Sequence, residues 1–216
     1  MISKRIRYIA SLIDDNESVA DVGCDHAYLA VLLKENGHKA EIVCTDNKPG
    51  PLNKARHNLD AFGCRDVKTV MTDGVSGLDD YYDVTVMAGM GCHTVSHIME
   101  DNPGYFRHGR LIIQINTEIP MLRRWLNGHD FMITNEHLVK DRRFYEILEV
   151  KSGIQSLNEQ EIEFGPCFLK KKGELWQQYC QYRIAKLRSI ADRLNEEHPD
   201  RIKLEEEIKR ISTVTC

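Results

Sequence analysis

Short apolar or β-branched runs alternate with helical patterns from Ser18 to Leu126 of this chain, and no other feature restricts the possible folds as strongly. Strand-like runs at 18–22, 41–45, 67–71, 83–87 and 111–115 are separated by helical stretches at 28–36, 51–62, 93–101 and 120–126, with Gly37 and Gly63 closing the first two helices. Strands divided by helices build parallel βαβ units with right-handed crossovers. Ahead of them, Ser3 can cap a helix whose Ile6, Ile9 and Ile13 form one apolar stripe, with Lys4, Arg5 and Arg7 largely outside it. The pattern then changes: 131–138 and 143–150 are two β-like runs joined by the charged turn 139–142, which predicts a hairpin and an antiparallel edge on the parallel sheet. The expected fold class is α/β, a Rossmann-like, doubly wound, mostly parallel sheet with an antiparallel edge hairpin.

A composition shift marks a second region. Charged residues number 39 over positions 1–150 and 23 over the much shorter stretch 151–216, and Gly153 opens a polar connection. We place the boundary at 152, with domain one over 1–152 and domain two over 153–216. Leu175, Tyr179, Tyr182, Leu187, Ile190 and Leu194 recur at helical spacing, His198-Pro199-Asp200 interrupts, and Leu204, Ile208 and Ile211 continue, so domain two reads as a charged α-helical hairpin, coiled-coil-like.

With 29 Lys and Arg against 33 Asp and Glu, the formal charge of −4 excludes a generally basic nucleic-acid binder. Any such binding must come from a local patch. Seven cysteines, at 24, 44, 64, 92, 167, 180 and 216, include no Cys-x-x-Cys pair, so neither a disulfide framework nor a zinc ribbon is expected, and a reducing cytoplasm is. Met1 to Ile13 interleaves its apolar residues with Lys4, Arg5 and Arg7, and no later run approaches a membrane-spanning length, so neither a signal peptide nor a membrane helix is expected.

The stretch Asp21-Val22-Gly23-Cys24-Asp25-His26-Ala27-Tyr28 delivers an acidic residue and a glycine from a buried strand into a turn that opens a helix, which in a doubly wound sheet is the ligand crevice. The G-x-G-x-x-G fingerprint is absent, with Asp25 and Tyr28 at its later glycine positions, and an acidic turn suits a ligand carrying ammonium and sulfonium charges better than a pyrophosphate. Asp46, followed by Asn47, closes the second strand, and its separation from Gly23 is near the spacing at which a carboxylate accepts both ribose hydroxyls of an adenosine. Asp73-Gly74 closes the third strand, where the carboxylate can accept from an adenine amino group. One such Asp is usually a turn residue; three in succession at strand ends favour a ligand. The fourth strand ends in Ala88-Gly89-Met90-Gly91, a tight loop beside the first turn, and the fifth ends in Gln114-Ile115-Asn116, with amides over the same crevice. His93 and His97 lie four apart beside Cys92, but no H-E-x-x-H motif accompanies them, and no metal is expected. Lys170-Lys171-Lys172, followed by Trp176, Tyr179 and Tyr182, with Arg183, Lys186 and Arg188 beyond, could grip phosphates and stack bases, although positions 151–216 carry 12 basic and 11 acidic side chains.

The first motif at 21–29, Ala-Gly-Met-Gly at 88–91, Gln-x-Asn at 114–116 and Phe-Tyr-Glu at 144–146, together with the charged helical tail, resemble the bacterial tRNA (adenine(22)-N1)-methyltransferases, and the resemblance covers essentially the whole chain. It implies a class I S-adenosylmethionine fold, a seven-stranded sheet with its last pair antiparallel, and a carboxy-terminal coiled-coil-like domain that helps hold tRNA. The family usually has Ser where this chain has Cys24, Gly where it has Cys92 and Pro where it has Ile115. On that reading Asp21, Gly23, Cys24, Tyr28, Asp46, Asn47, Asp73, Gly74, Ala88, Gly89, Met90 and Gly91 hold the cofactor. Asp25 stabilises charge on the methylated base, His26 or a water accepts a later proton, and Gln114 and Asn116 orient the base. The tail cations hold tRNA, in a cytoplasmic enzyme that is a monomer or weak homo-oligomer. Two rival readings remain: a nicotinamide-dependent oxidoreductase, which would also use Asp46, and a catalytically impaired cofactor-binding RNA adaptor.

Overall fold

The computed structural model describes residues 2–215; Met1 and Cys216 lie outside the described residues. The chain divides into two compact units, Met1–Gly165 and Pro166–Cys216.

In the first unit, α1 (Lys4–Ala10) precedes β1 (Val19–Val22), and the series then runs α2 (Tyr28–Glu35), β2 (Ile42–Asp46), α3 (Pro49–Ala61), β3 (Lys68–Met71), β4 (Val84–Met90), α4 (Cys92–Asp101), β5 (Arg110–Ile115) and α5 (Ile119–Gly128). The hairpin β6 (Phe131–Lys140) and β7 (Phe144–Ser152) follows, then α6 (Glu159–Phe164). The Ser3 hydroxyl caps α1 by accepting the Ile6 amide at 3.3 Å, which satisfies one of the orphan donors of the first turn. Strand order is β3-β2-β1-β4-β5-β7-β6, with five parallel strands and an antiparallel pair at one edge. β2 and β4 flank β1 on opposite sides, so right-handed crossovers send α2 and α4 to opposite faces and open a crevice above the carboxyl ends of β1 and β4. Central strands buried on both faces read as continuous apolar runs, and Val19, Ala20, Val22, Val84, Val86 and Met87 are at most 2% exposed.

The compact boundary falls at 165, not at 152. The segment 153–165 belongs with the first unit because Arg123, 1% exposed, needs its carbonyls: the guanidinium donates to Ile162 O and Glu163 O at 3.3 and 3.4 Å, and to Glu136 and Glu146 at 2.8 and 2.5 Å. Asn127 accepts the Leu157 amide, and Arg124 pairs with Glu159 on the surface. A buried cation left short of partners costs several kcal/mol, so this segment cannot be a linker.

The second unit contains α7 (Pro166–Lys171), α8 (Glu174–Ala191) and α9 (Pro199–Thr215). The expected helical pair is α8 and α9, which pack on each other and are tied by Arg183 to Glu207 at 2.9 Å. No described helix is long and apolar enough to cross a membrane.

Candidate active site at the strand ends

The turn after β1 bends back sharply. Gly23, Asp25 and Ala27 all have positive φ, at 69°, 48° and 53°. Glycine adopts this region freely and Asp tolerates it, whereas Ala27 is held there under strain, a condition that clusters at binding sites. The amides of Gly23 and Cys24 both donate to Thr45 O, at 2.8 and 3.0 Å, which fixes the turn to the end of β2. A Cβ on Gly23 would meet only the terminal methyl of the flexible Met90 side chain, so it is the positive φ that favours glycine here.

Two cavities meet at this point, sharing Gly23, Asp25 and Met90. The first, about 310 Å³, lies over β2 and β3 and is lined by Thr45, Asp46, Asn47, Asp73 and Gly74, with Thr94 and Ile98 from α4. Asp46 Oδ1 accepts the Lys48 amide at 2.9 Å, Asn47 Nδ2 donates to Asp73 Oδ1 at 3.3 Å, and Thr45 donates its hydroxyl to Gly74 O at 2.9 Å. The second cavity, about 300 Å³, lies over β1 and β4 and is lined by Asp21, Cys24, His26, Tyr28, Ala88 and Gly89, with Arg5 and Ile6 from α1.

Asp21 is 6% exposed, and its carboxylate makes no hydrogen bond among the described residues. Burial, and then the charge of Asp46, push its pKa up to about 7. His26 Nε2 is 3.5 Å from Asp25 Oδ2, and its ring stacks on Tyr28 with centroids 5.3 Å apart. The Cys44 thiol beneath the turn is pushed well up by its hydrogen bond with Cys24 and by burial, so it lacks the profile of a nucleophile.

The stretch 88–91 is a widened strand end, not a free loop. β4 runs to Met90, and its register to β5 shifts between Ala88 and Met90, which leaves Gly89 at φ 90°. Gln114 and Asn116 separate. Gln114 is fully buried, its amide donates to Ile115 O at 2.5 Å, and its side-chain oxygen accepts from Arg5, so it supports Arg5 from below and does not line the cavity. Asn116 is exposed at the mouth: it donates to Gly89 O at 2.8 Å and accepts from Arg143 at 2.9 Å.

Arg5 is the residue that sequence reasoning missed. Burial lowers its pKa, and it lies against Gly89 and over the Tyr145 ring at 5.3 Å, a cation in an otherwise acidic cavity. Four before Ile9 it borders the apolar face of α1, but the stripe of Ile6, Ile9 and Ile13 leaves it reading as a solvated helix charge, and only the tertiary contact with Gln114 sets it apart. The six tail cations all fall in the second unit. Lys170 and Lys171 end α7, Lys172 follows at φ 42°, Arg183 pairs with Glu207, and Lys186 and Arg188 are exposed on α8. His97 pairs with Asp101 at 3.4 Å, and among the described residues no group of three or more His, Cys, Asp and Glu could hold a metal ion.

Residues 19–213 match the family model TrmK, tRNA (adenine(22)-N(1))-methyltransferase. The chain is 25% identical over 205 residues to the tRNA (adenine(22)-N(1))-methyltransferase of Bacillus subtilis, covering 90% of this chain and 86% of that one. It is similar in structure to a Streptococcus pneumoniae protein solved in complex with S-adenosyl-L-methionine, at 30% identity and TM-score 0.88, with both chains fully covered. It is also similar to Mycoplasma capricolum TrmK in complex with S-adenosyl-homocysteine, at 27% identity and TM-score 0.82 over all of this chain and 98% of that one. The chain belongs to the TrmK family.

Proposed function

We propose that this TrmK-family chain transfers a methyl group from S-adenosylmethionine to N1 of adenine 22 in tRNA. The observation that carries the reading is the buried Asp21 carboxylate on the wall of the second cavity, without a hydrogen-bond partner among the described residues, with Asp46 and Asp73 at the next two strand ends on the wall of the first. These residues fit the cofactor. Asp46 keeps lone pairs that would accept ribose hydroxyls beside its bond to Lys48, Asp73 would accept from the adenine amino group, and Asp21 would pair with the ammonium group. Arg5, held by Gln114, would pair with the cofactor's carboxylate through a charge-assisted hydrogen bond.

Bound there, the cofactor supplies an electrophilic methyl group on a sulfonium. Adenine N1 carries an in-plane lone pair at neutral pH, so no base is needed to generate the nucleophile, and the chain's task is orientation in a desolvated crevice, worth up to roughly 7 to 11 kcal/mol. N1 is engaged in a Watson–Crick pair within a duplex, so the target must be unpaired or extruded. The stacked His26 and Tyr28 offer a ring face for it, the Asp25 carboxylate stands where positive charge develops on the ring, and His26 or a water takes the later proton. The nicotinamide reading is not favoured, because Asp21 and Asp25 stand where a pyrophosphate would need donors.

Mass mapping of tRNA after incubation with the chain and S-adenosylmethionine tests the proposal. The expected product is 1-methyladenosine at position 22. Donor binding without methylated RNA would support the adaptor reading instead, and NADH binding without donor binding would support the oxidoreductase.

A further inference from the structure

Beside the second cavity, whose wall includes Arg5, cations from two elements distant in sequence come together. The Lys4 backbone amide donates to Asp141 Oδ2 at 3.2 Å, which locks the turn between β6 and β7 onto the start of α1 and occupies the turn's one carboxylate. Around that lock Lys4, Arg7, Lys140, Arg142 and Arg143 are exposed, and among the described residues none of them forms an ion pair with a carboxylate. The hairpin's other acids face elsewhere. Glu136 and Glu146 grip Arg123, and Glu149 takes Arg110 and His137. Arg5 and Arg143 lie 5.3 and 4.8 Å from the centroid of the same Tyr145 ring, and Arg143 reaches Asn116 at the cavity mouth. Five exposed cations around a single carboxylate, Asp141, leave a net positive edge that calls for a polyanion.

We propose that this edge, formed by α1, the end of β6 and the turn between β6 and β7, docks the phosphate backbone of the RNA and so delivers the target base to the second cavity. The inference rests on the methyltransferase reading and deepens it by placing an RNA contact on the first unit, separate from the tail cations. Backbone contacts of this kind fix register without reading sequence.

The test uses the full chain, an unmodified tRNA transcript, and the triple variant R7A/K140A/R142A, which leaves Arg5, Arg143 and Asn116 in place. Three lost phosphate contacts, at ~0.9 each in the logarithmic salt slope, mean that between about 50 and 200 mM salt the parent should lose about fortyfold more affinity than the variant. KM for tRNA should rise with kcat held at saturating RNA, S-adenosylmethionine affinity by calorimetry should not change, and R7K/R142K should behave as the parent. A triple variant with the parent's tRNA affinity and salt slope overturns the docking edge while leaving the methyltransferase reading intact. A parent chain that binds S-adenosylmethionine but neither binds nor methylates tRNA overturns both. Loss of cofactor binding in the triple variant would make the edge a support for the fold and would also overturn the proposal.

Discussion

Asp21→Asn separates what a buried carboxylate costs from what it contributes. In the folded chain Asp21 titrates at about 7 against an ordinary 3.8, through burial and then the charge of Asp46. Between those two values the folded state holds a proton that the unfolded state has released, so stability falls as pH rises through this window, and the cost is complete above about pH 7. Some three pH units at 1.36 kcal/mol each set the cost near ~4 kcal/mol. The Asn amide, equally short of partners, takes back ~1 to 3 kcal/mol. The ligand-free variant should therefore melt several degrees above the parent at pH 8, at ~2 to 4 °C per kcal/mol, and no higher at pH 5. Cofactor binding should move the other way. Its ammonium group requires ionised Asp21, so at pH 6 the parent should release about one proton on binding, seen in calorimetry as a buffer-dependent enthalpy, and the variant should release none and bind more weakly. A parent that releases no proton at pH 6, or a variant whose stability change is the same at pH 5 and pH 8, would refute the reasoning.

Asp46→Ala should weaken S-adenosylmethionine by roughly tenfold to a hundredfold, the loss of a charged hydrogen-bond partner at ~1.5 to 3 kcal/mol, and a titration within about twofold of the parent would remove Asp46 from the ribose site. Asp25→Asn keeps a side chain that tolerates φ 48°, so donor affinity should hold while the transfer rate falls; equal losses in both would make Asp25 only a binding residue. A chain ending at Gly165 should bind the donor as the full chain does, with weaker tRNA binding and a shallower salt slope, whereas one ending at Lys151 should melt earlier because Arg123 loses Ile162 O and Glu163 O. Unchanged tRNA binding by the Gly165 chain would show that the second unit is not an RNA element.

The sheet was legible because its signal is local. Each parallel strand is a short apolar or β-branched run, helices carry apolar stripes, and the Asp residues at three strand ends follow from topology once the order of βαβ units is read. What escaped the sequence was set by tertiary contacts. Arg5 reads as a solvated helix charge until β5 supplies Gln114 beneath it, and Gln114 reads as a crevice amide until Arg5 takes its oxygen. The boundary moved from 152 to 165 because α6, Glu159–Phe164, is too short to show a period, and the residue its carbonyls satisfy, Arg123, lies far upstream on α5. The bulge at Gly89 belongs to the pairing of two strands, and two nearby glycines cannot distinguish it from a loop.

Net charge misleads here for the same reason. A chain at −4 gives no argument for nucleic acid, yet it sorts its charges by position. The carboxylates of Asp21, Asp25, Asp46 and Asp73 line cavities that a cationic cofactor would neutralise, and the unpaired cations of α1 and the β6–β7 turn stand at the rim. This arrangement couples the two ligands electrostatically. On the proposed docking, a cationic cofactor would offset the Asp25 and Asp46 carboxylates beneath the rim, and because binding free energies are linked, RNA on the rim would strengthen the cofactor by the same factor that the cofactor strengthens RNA. The coupling acts over short distances between partly buried charges, which salt screens less than it screens the exposed rim contacts themselves.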